Sequence, residues 1–249
     1  HSLLSRSGTS INEARIMVRT NNTVIAALMV KRKEADAMIC GATGRYTEHL
    51  PHLFKIIGLR PDVTRAAAMS MLIMSKGTYF WVDPYVNPGP SGEQIANITV
   101  LAAQNIRRFG IEPKVALLSH SNFGSSNRPT ARKMREAVEL IRKLAPDLQV
   151  DGEMHADAAL SEELRGRLVK DSPLTGAANL LVMPSLDAAN ISYNLVRMLA
   201  DGLAVGPMLL GMNQPSHILA EGVTARGIMN MTAVAVVEAQ NQADGELPL

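Results

Sequence analysis

The chain has 249 residues, 47% of them hydrophobic, and its 25 basic and 23 acidic side chains leave a formal net charge of +2. This composition excludes an intrinsically disordered chain, and the near balance of charges gives no general attraction to nucleic acid. The single cysteine, Cys40, excludes an internal disulfide and favours a reducing, cytoplasmic location, and no apolar stretch approaches the roughly 20 residues that cross a bilayer.

One pattern recurs along the chain: a short apolar run, a polar or glycine-rich loop, and a segment with helical periodicity. The apolar runs are residues 37–40, 115–118 and 180–183, and the helical segments that follow them are residues 48–57, 129–144 and 188–200. Because the runs are apolar throughout, they predict strands buried on both faces of a mainly parallel sheet. We therefore expect an α/β fold, in which ligands bind beyond the carboxyl ends of the strands.

Two clusters of glycine and proline interrupt this alternation and predict hinges. The first covers residues 87–92 and precedes a helix whose start carries the capping-box pair Ser91 and Gln94; the second covers residues 206–215. If the segment between the hinges forms one domain, the two chain ends must form another. The predicted domains are a central one, residues 89–209, and an outer one, residues 1–88 with 210–249.

The strongest candidate for chemistry is the serine loop, residues 119–126, which lies between the second apolar run and its helix. Its hydroxyl groups, its glycine and the N-terminus of the following helix suit a phosphate or another anion. An ordinary turn whose serines cap the helix accounts for the composition equally well. The candidate anion ligands are Ser119, Ser121, Asn122, Gly124 and Ser125.

Other polar patterns are weaker. His120 invites a Ser/His catalytic interpretation, but neighbouring loop residues rarely reach the required geometry. A metal site could use Asp151, Glu153, His155 and Asp157, although a solvated strand end is the preferred interpretation. Residues 41–45 resemble a fragment of a glycine-rich phosphate loop without its full motif.

Six motifs, in order along the chain, resemble those of the phosphotransacetylase (phosphate acetyl/butyryl transferase) family. They are residues 35–42, 82–88, 109–119, 151–153, 187–191 and 205–207. Residues 79–88 and 117–125 are similar, more narrowly, to the phosphotransacetylase-like C-terminal half of multidomain NADP-dependent malic enzymes.

This resemblance implies two α/β/α domains of the isocitrate/isopropylmalate dehydrogenase type, with mainly parallel sheets and an interdomain cleft. It also implies an outer domain truncated at its N-terminus. Acetyl-CoA or CoA is expected near the cleft, which Asn190, Gly206 and Gly211 would line.

The chain departs from the family where active members carry Leu-Ser-Arg-Gly and a later aspartate. Ala220 replaces the serine, Glu221 the arginine and Gly227 the aspartate. At about 4 Å and an effective dielectric near 20, an attraction of about 4 kcal/mol between arginine and phosphate would become a repulsion of similar size. The resemblance thus implies a domain without catalytic residues.

The leading hypothesis is a catalytically silent regulatory domain that binds acetyl-CoA or CoA as an allosteric effector. It would be attached to a malic enzyme that decarboxylates malate oxidatively to pyruvate, with NADP and a divalent metal bound only in the missing half. The alternative is an active phosphate acetyltransferase in which Ser121, His120 or Arg226 stands in for the lost residues. A third hypothesis is a structural domain that forms a homodimer or higher homo-oligomer through helices at residues 188–199 and 232–237. None of the three involves nucleic acid or a membrane.

Overall fold

The computed structural model describes residues 1–244 and divides the chain into two compact units. The first unit contains His1–Ala66 and the chain from Gly206 onward, and the second contains Ala67–Val205. The sequence places the boundaries after residues 88 and 209 instead, and residues 245–249 of its outer domain lie outside the described residues. The first boundary is earlier in the structure because the two strands that follow Ala66 belong to the sheet of the second unit.

Helices and strands alternate through most of the chain. The helices are α1 (Ile11–Thr20), α2 (Asn22–Lys31), α3 (Tyr46–Ile56), α4 (Gly92–Arg108), α5 (Pro129–Leu144), α6 (Ala156–Leu160), α7 (Glu162–Leu168), α8 (Leu186–Leu199) and α9 (Ala225–Ala243). The strands are β1 (Met38–Gly41), β2 (Ala67–Met74), β3 (Gly77–Val82), β4 (Lys114–Leu118), β5 (Gln149–Met154), β6 (Leu180–Val182), β7 (Leu203–Leu210) and β8 (Ser216–Leu219). Each predicted apolar run contributes a strand, and each predicted helical segment contributes a helix.

The sheets are mainly parallel, which confirms the predicted α/β fold. The larger sheet has the order β5-β4-β6-β3-β2-β7, in which β4 runs parallel to β5 and β6, and β6 parallel to β3. Strands β2 and β3 form an antiparallel hairpin. In the first unit, β1 and β8 form a parallel pair.

Local sequence signals set the ends of two helices that border the larger sheet. Helix α4 begins after Ser91, whose hydroxyl accepts from the Gln94 amide while the Gln94 side chain accepts from the Ser91 amide. This is the predicted capping box. Helix α5 begins at Pro129, where the fixed φ of proline and its missing N–H suit the first helical turn.

The core of the second unit lies on both faces of its sheet. All three residues of β6 and the last four of β4 are buried, as expected for central parallel strands. One apolar cluster includes Trp81, Leu181 and Tyr193 and is extended by partly buried side chains such as Phe123 of the serine loop. In the part of the chain that the structure describes, no helix has both the length and the apolarity to cross a bilayer.

Candidate functional site

The serine loop follows the carboxyl end of β4, where the fold predicts ligand chemistry. Its first amide, on Ser119, donates to the carbonyl of Met154 at the end of β5, 2.9 Å away. The loops after β3, β5 and β6 leave from the same edge because these strands are parallel to β4 or to its neighbour. The site is therefore built from several loops on one rigid sheet edge.

The centre of the serine loop is occupied by a carboxylate of the protein itself. Glu153 is fully buried, and its Oε1 accepts from the Ser121 hydroxyl at 2.6 Å and from the Gly124 amide at 3.1 Å. Arg135 of α5 completes the cluster, with Nη1 2.7 Å from the same oxygen. Two of the groups expected to bind a ligand anion, the Ser121 hydroxyl and the Gly124 amide, thus donate to a carboxylate of the protein itself.

Further hydrogen bonds close the loop around this carboxylate. The amide of Phe123 donates to the Glu153 carbonyl at 2.7 Å, and the Ser126 amide donates to the Ser121 hydroxyl at 3.0 Å. Asn122 Oδ1 accepts from the His155 amide at 2.7 Å. Ser121 is thus fully buried, whereas Gly124 and Ser125 are exposed and Ser119 and Asn122 are half-buried.

A β-bulge positions Glu153. Leu117 pairs with Gly152 and Leu118 with Met154, so Glu153 is the extra residue in β5. Gly152 has φ +143°, and a Cβ there would lie 2.7 Å from the Leu117 carbonyl oxygen, so only glycine fits. Bulges of this kind redirect a side chain next to a functional site.

The interpretation of residues 151–157 as a solvated strand end is wrong for its two acidic strand residues. Asp151 and Glu153 are both buried, and each meets an arginine of α5: Arg142 Nη2 lies 3.1 Å from Asp151 Oδ1. Burial without a cationic partner would be costly for either carboxylate. The signal that could have revealed this pairing is the spacing of Arg135 and Arg142, two helical turns apart on one face of α5.

Within residues 1–244, no group of three or more ligating side chains forms a metal site.

His120 does not form a catalytic pair with Ser119 or Ser121. Its Nε2 lies 3.2 Å from the Ser126 hydroxyl, and the imidazole is exposed. Among residues 1–244, no carboxylate forms a hydrogen bond or ion pair with this ring. The arrangement lacks the third group that a nucleophile and base require.

Two neighbouring loops are also held by polar side chains. Asp83 after β3 is buried, and its Oδ1 accepts from the amides of Ala68, Tyr85 and Val86. Burial raises the pKa of Asp83, and the hydrogen bonds oppose that effect. Lys133 of α5 donates to the Pro184 carbonyl at 2.6 Å, and burial lowers the pKa of its ammonium group.

The remaining predicted cleft residues have structural contacts. Asn190, in α8, donates from Nδ2 to the Pro84 carbonyl at 3.2 Å and so joins the helix to the loop after β3. Gly206 and Gly211 belong to the first unit, both with positive φ, and the Gly211 carbonyl accepts from the Arg60 amide at 3.0 Å.

The positions of the altered family motif lie after β8. Ala220 and Glu221 are in the turn that leads to α9, and Glu221 is exposed. Thr224 caps α9 by accepting from the Gly227 amide at 3.1 Å. Gly41 at the end of β1 pairs with Leu219, so the loop at residues 41–45 leaves from the same edge of the two-stranded sheet. The turn therefore lies at the edge formed by the carboxyl ends of β1 and β8, and it carries the negative charge of Glu221.

Comparisons with known proteins confirm the family resemblance over nearly the whole chain. The model of the family described as Phosphate acetyl/butaryl transferase matches residues 1–236. The chain is 56% identical to the NAD-dependent malic enzyme of Rhizobium meliloti and 52% identical to the NADP-dependent malic enzyme of Salmonella typhimurium, in each case over 96% of its own length. It covers 31% and 32% of those proteins, about a third of their length. A phosphotransacetylase from Streptococcus pyogenes has a TM-score of 0.87 at 31% identity, with 96% of this chain and 73% of that chain covered.

Proposed function

The chain belongs to the phosphate acetyl/butaryl transferase family, and on that premise we propose that it is a regulatory domain of a malic enzyme, without acyltransferase activity. The whole polypeptide would decarboxylate malate oxidatively to pyruvate with a nicotinamide coenzyme and a divalent metal bound outside this chain. The relatives named above include one NAD-dependent and one NADP-dependent enzyme. We therefore assign the choice between NAD and NADP to the part of the polypeptide outside this chain.

The observation that carries this proposal is Glu221. It occupies the family's arginine position as an exposed carboxylate in the turn between β8 and α9. An arginine there would attract phosphate, whereas the glutamate repels it at the point where transfer would occur. Ala220 and Gly227 offer no side-chain group to act as base or donor, and losing a general base typically costs 10²- to 10⁴-fold in rate, so roughly that factor is expected here.

The proposed ligand is acetyl-CoA or CoA, bound as an effector. CoA carries several phosphates, and Arg128 and Arg132 are exposed cations at the start of α5, beside the serine loop. Because Glu153 holds Ser121 and Gly124, we assign these two to shaping the loop. Ser119, Asn122 and Ser125 also accept hydrogen bonds from backbone amides, but they are exposed or half-buried and do not bind Glu153, so we assign them to ligand contact. An effector of this kind must bind one state of the enzyme more tightly than another.

The test uses the full malic-enzyme polypeptide that contains this chain. Calorimetry with acetyl-CoA measures binding, and release of the CoA thiol in the presence of phosphate measures acyl transfer. We expect saturable binding, a change in malate turnover and no transfer; the variant S125A should weaken binding, with the exposed Ser2→Ala as its control. Transfer by the wild-type protein, or absence of binding, would overturn the proposal.

A role in self-association is supported by a separate observation on α8. Ile191, Leu195, Met198 and Leu199 recur at helical spacing and are between 56% and 84% exposed. An apolar stripe of this kind on a helix is typical of an interface. We therefore include a homodimer or higher homo-oligomer in the proposal, with a cytoplasmic location and no nucleic-acid or membrane partner.

A further inference from the structure

Strand β1 has one edge that pairs with no other strand. In the part of the chain that the structure describes, β1 pairs with β8 alone. The Met38 amide donates to the Pro215 carbonyl and the Ala42 amide donates to the Leu219 carbonyl, so the even-numbered residues of β1 bond to β8. Because the backbone groups of successive residues point to opposite sides of a strand, the N–H and C=O of Ile39 point to the free edge.

A mainly apolar groove of about 640 Å³ lies beside β1 in the first unit. Its walls are residues 35–39 and one face of α9, where Thr232, Val236, Ala239 and Ala243 recur at helical spacing. Val236 is 49% exposed. Most of the side chains that line this β1 groove are small, so they leave room for another segment of polypeptide next to the strand.

The sequence of β1 lacks the features that usually protect a strand edge. Exposed edges commonly carry lysine, proline or a bulge, which oppose pairing with a further strand. Residues 35–39 read Ala-Asp-Ala-Met-Ile, and the exposed Asp36 is their one charged side chain. A sheet of two strands is also small, since most sheets have about four to six. The edge of β1 is therefore suited to pairing.

The relatives have additional polypeptide that could fill the β1 groove. The chain covers 31% and 32% of the two malic enzymes named above, so about two thirds of each lies outside it. It also covers 73% of the Streptococcus pyogenes phosphotransacetylase, so about a quarter of that chain has no counterpart here. An extended segment suits this surface best, because it satisfies the backbone groups of the edge while its side chains fill the groove.

We propose that a β-strand of the malic-enzyme polypeptide, from outside this chain, pairs with the free edge of β1 and packs apolar side chains against Val236 in the β1 groove. The inference rests on the attachment to a malic enzyme that is part of the proposed function. It does not depend on an effector, so its test contains no acetyl-CoA. Failure to bind acetyl-CoA would overturn the regulatory proposal and leave this one standing.

The test is amide hydrogen exchange, resolved to single residues, in this chain alone and in the full malic-enzyme polypeptide. The Met38 amide, which donates to Pro215 at 3.0 Å, is the internal reference. In this chain alone, the Ile39 amide should exchange about tenfold faster than the Met38 amide or more. In the full polypeptide, it should slow to a rate near that of Met38.

Two outcomes of this wild-type comparison would overturn the proposal. An Ile39 amide that remains unprotected in the full polypeptide would show that no strand pairs with β1. Protection already present in this chain alone would show that its own residues or a second copy cover the edge, and dependence on protein concentration separates these two sources.

A matched pair of variants tests the groove. Val236 lines it and Val237 does not, although the two valines are adjacent and similarly exposed at 49% and 54%. In the full polypeptide, V236E should restore fast exchange at Ile39, because an unpaired carboxylate opposes apolar packing, whereas V237E should not. Both variants of this chain alone should keep the wild-type denaturant midpoint, since both side chains are exposed there. Equal effects of V236E and V237E on Ile39 would overturn the proposal.

Discussion

Arg135 Nη1 and Glu153 Oε1 lie 2.7 Å apart, and this ion pair joins α5 to the bulge of β5 beneath the serine loop. Glu153 is fully buried, while the arginine side chain is 29% exposed. The carboxylate also accepts from Ser121 and Gly124, so one oxygen organises the helix, the strand and the loop together. The loop at the expected ligand-binding edge is thus shaped by an anion of the protein itself.

Glu153→Gln should loosen the serine loop. The amide keeps the shape of the side chain but loses the charge that strengthens three hydrogen bonds, so we expect a loss of about 2 kcal/mol in the free energy of unfolding. Hydrogen exchange should accelerate at residues 121–126. Glu163→Gln on α7 is the control, since its pair with Arg167 is exposed and contributes less than about 1 kcal/mol. Unchanged exchange in the Glu153 variant would contradict this role.

Gly152→Ala should destabilise the second unit. The new Cβ would approach the Leu117 carbonyl oxygen to 2.7 Å, and φ +143° is a region that side chains rarely adopt. We expect a loss of about 2 kcal/mol or more, measured by denaturant unfolding. Gly166→Ala in α7 is the matched control, because it meets no atom within 4 Å and alanine favours a helix. Equal stability of the two variants would exclude strain at Gly152.

Cys40 should react slowly with a disulfide reagent near neutral pH. Burial raises the pKa of its thiol to about 11 from an ordinary 9.0, and the thiolate is the reactive species. Allowing for the greater nucleophilicity of a more basic thiolate, we expect reaction at pH 8 to be about tenfold slower in the folded chain than in urea. The chain has one cysteine, so Ellman's reagent reports on this site alone. Equal rates in the folded and unfolded chains would contradict the burial effect.

The same shift predicts a pH dependence of stability. The pKa of the Cys40 thiol is higher in the folded chain than in the unfolded chain, so the folded chain binds this proton more tightly. The contribution of the protonated thiol to the free energy of unfolding is therefore fully present below about pH 9. It should decline as the pH rises from about 9 to about 11. Cys40→Ser should flatten the decline, and denaturant midpoints across this range measure it. A wild-type decline that the variant reproduces would assign the effect to another group.

Leu195→Glu and Leu199→Glu should reduce self-association. Both side chains lie on the exposed apolar stripe of α8, and a buried carboxylate without a partner opposes assembly. Light scattering should give a lower mass for each variant than for the wild-type chain. Leu168→Glu, on the exposed side of α7, should leave the mass unchanged. A monomeric wild-type chain would refute the interface.

Much of the fold follows from local signals in the sequence. The apolar run at residues 115–118 and the helix at residues 129–144 predict β4 and α5, because strand burial and helix start signals are encoded in neighbouring residues. The Ser91–Gln94 cap is predicted for the same reason. The apolar run before the serine loop also predicts that the loop follows a parallel strand. The order of six motifs along the chain indicates the family.

The tertiary structure decided what fills that loop and where the units divide. Glu153 reaches the loop only because β5 has a bulge where it pairs with β4. This bulge depends on the pairing of two segments that are distant in sequence, and the pattern of polar and apolar residues along β5 does not reveal it. The burial of Glu153 depends on Arg135, which α5 brings to the strand. Strand β3 likewise joins the second unit through pairing with β6, a contact between residues about a hundred positions apart, and β2 follows as the hairpin partner of β3. Local propensity acts over a few residues, whereas these features depend on which surfaces meet when the chain packs.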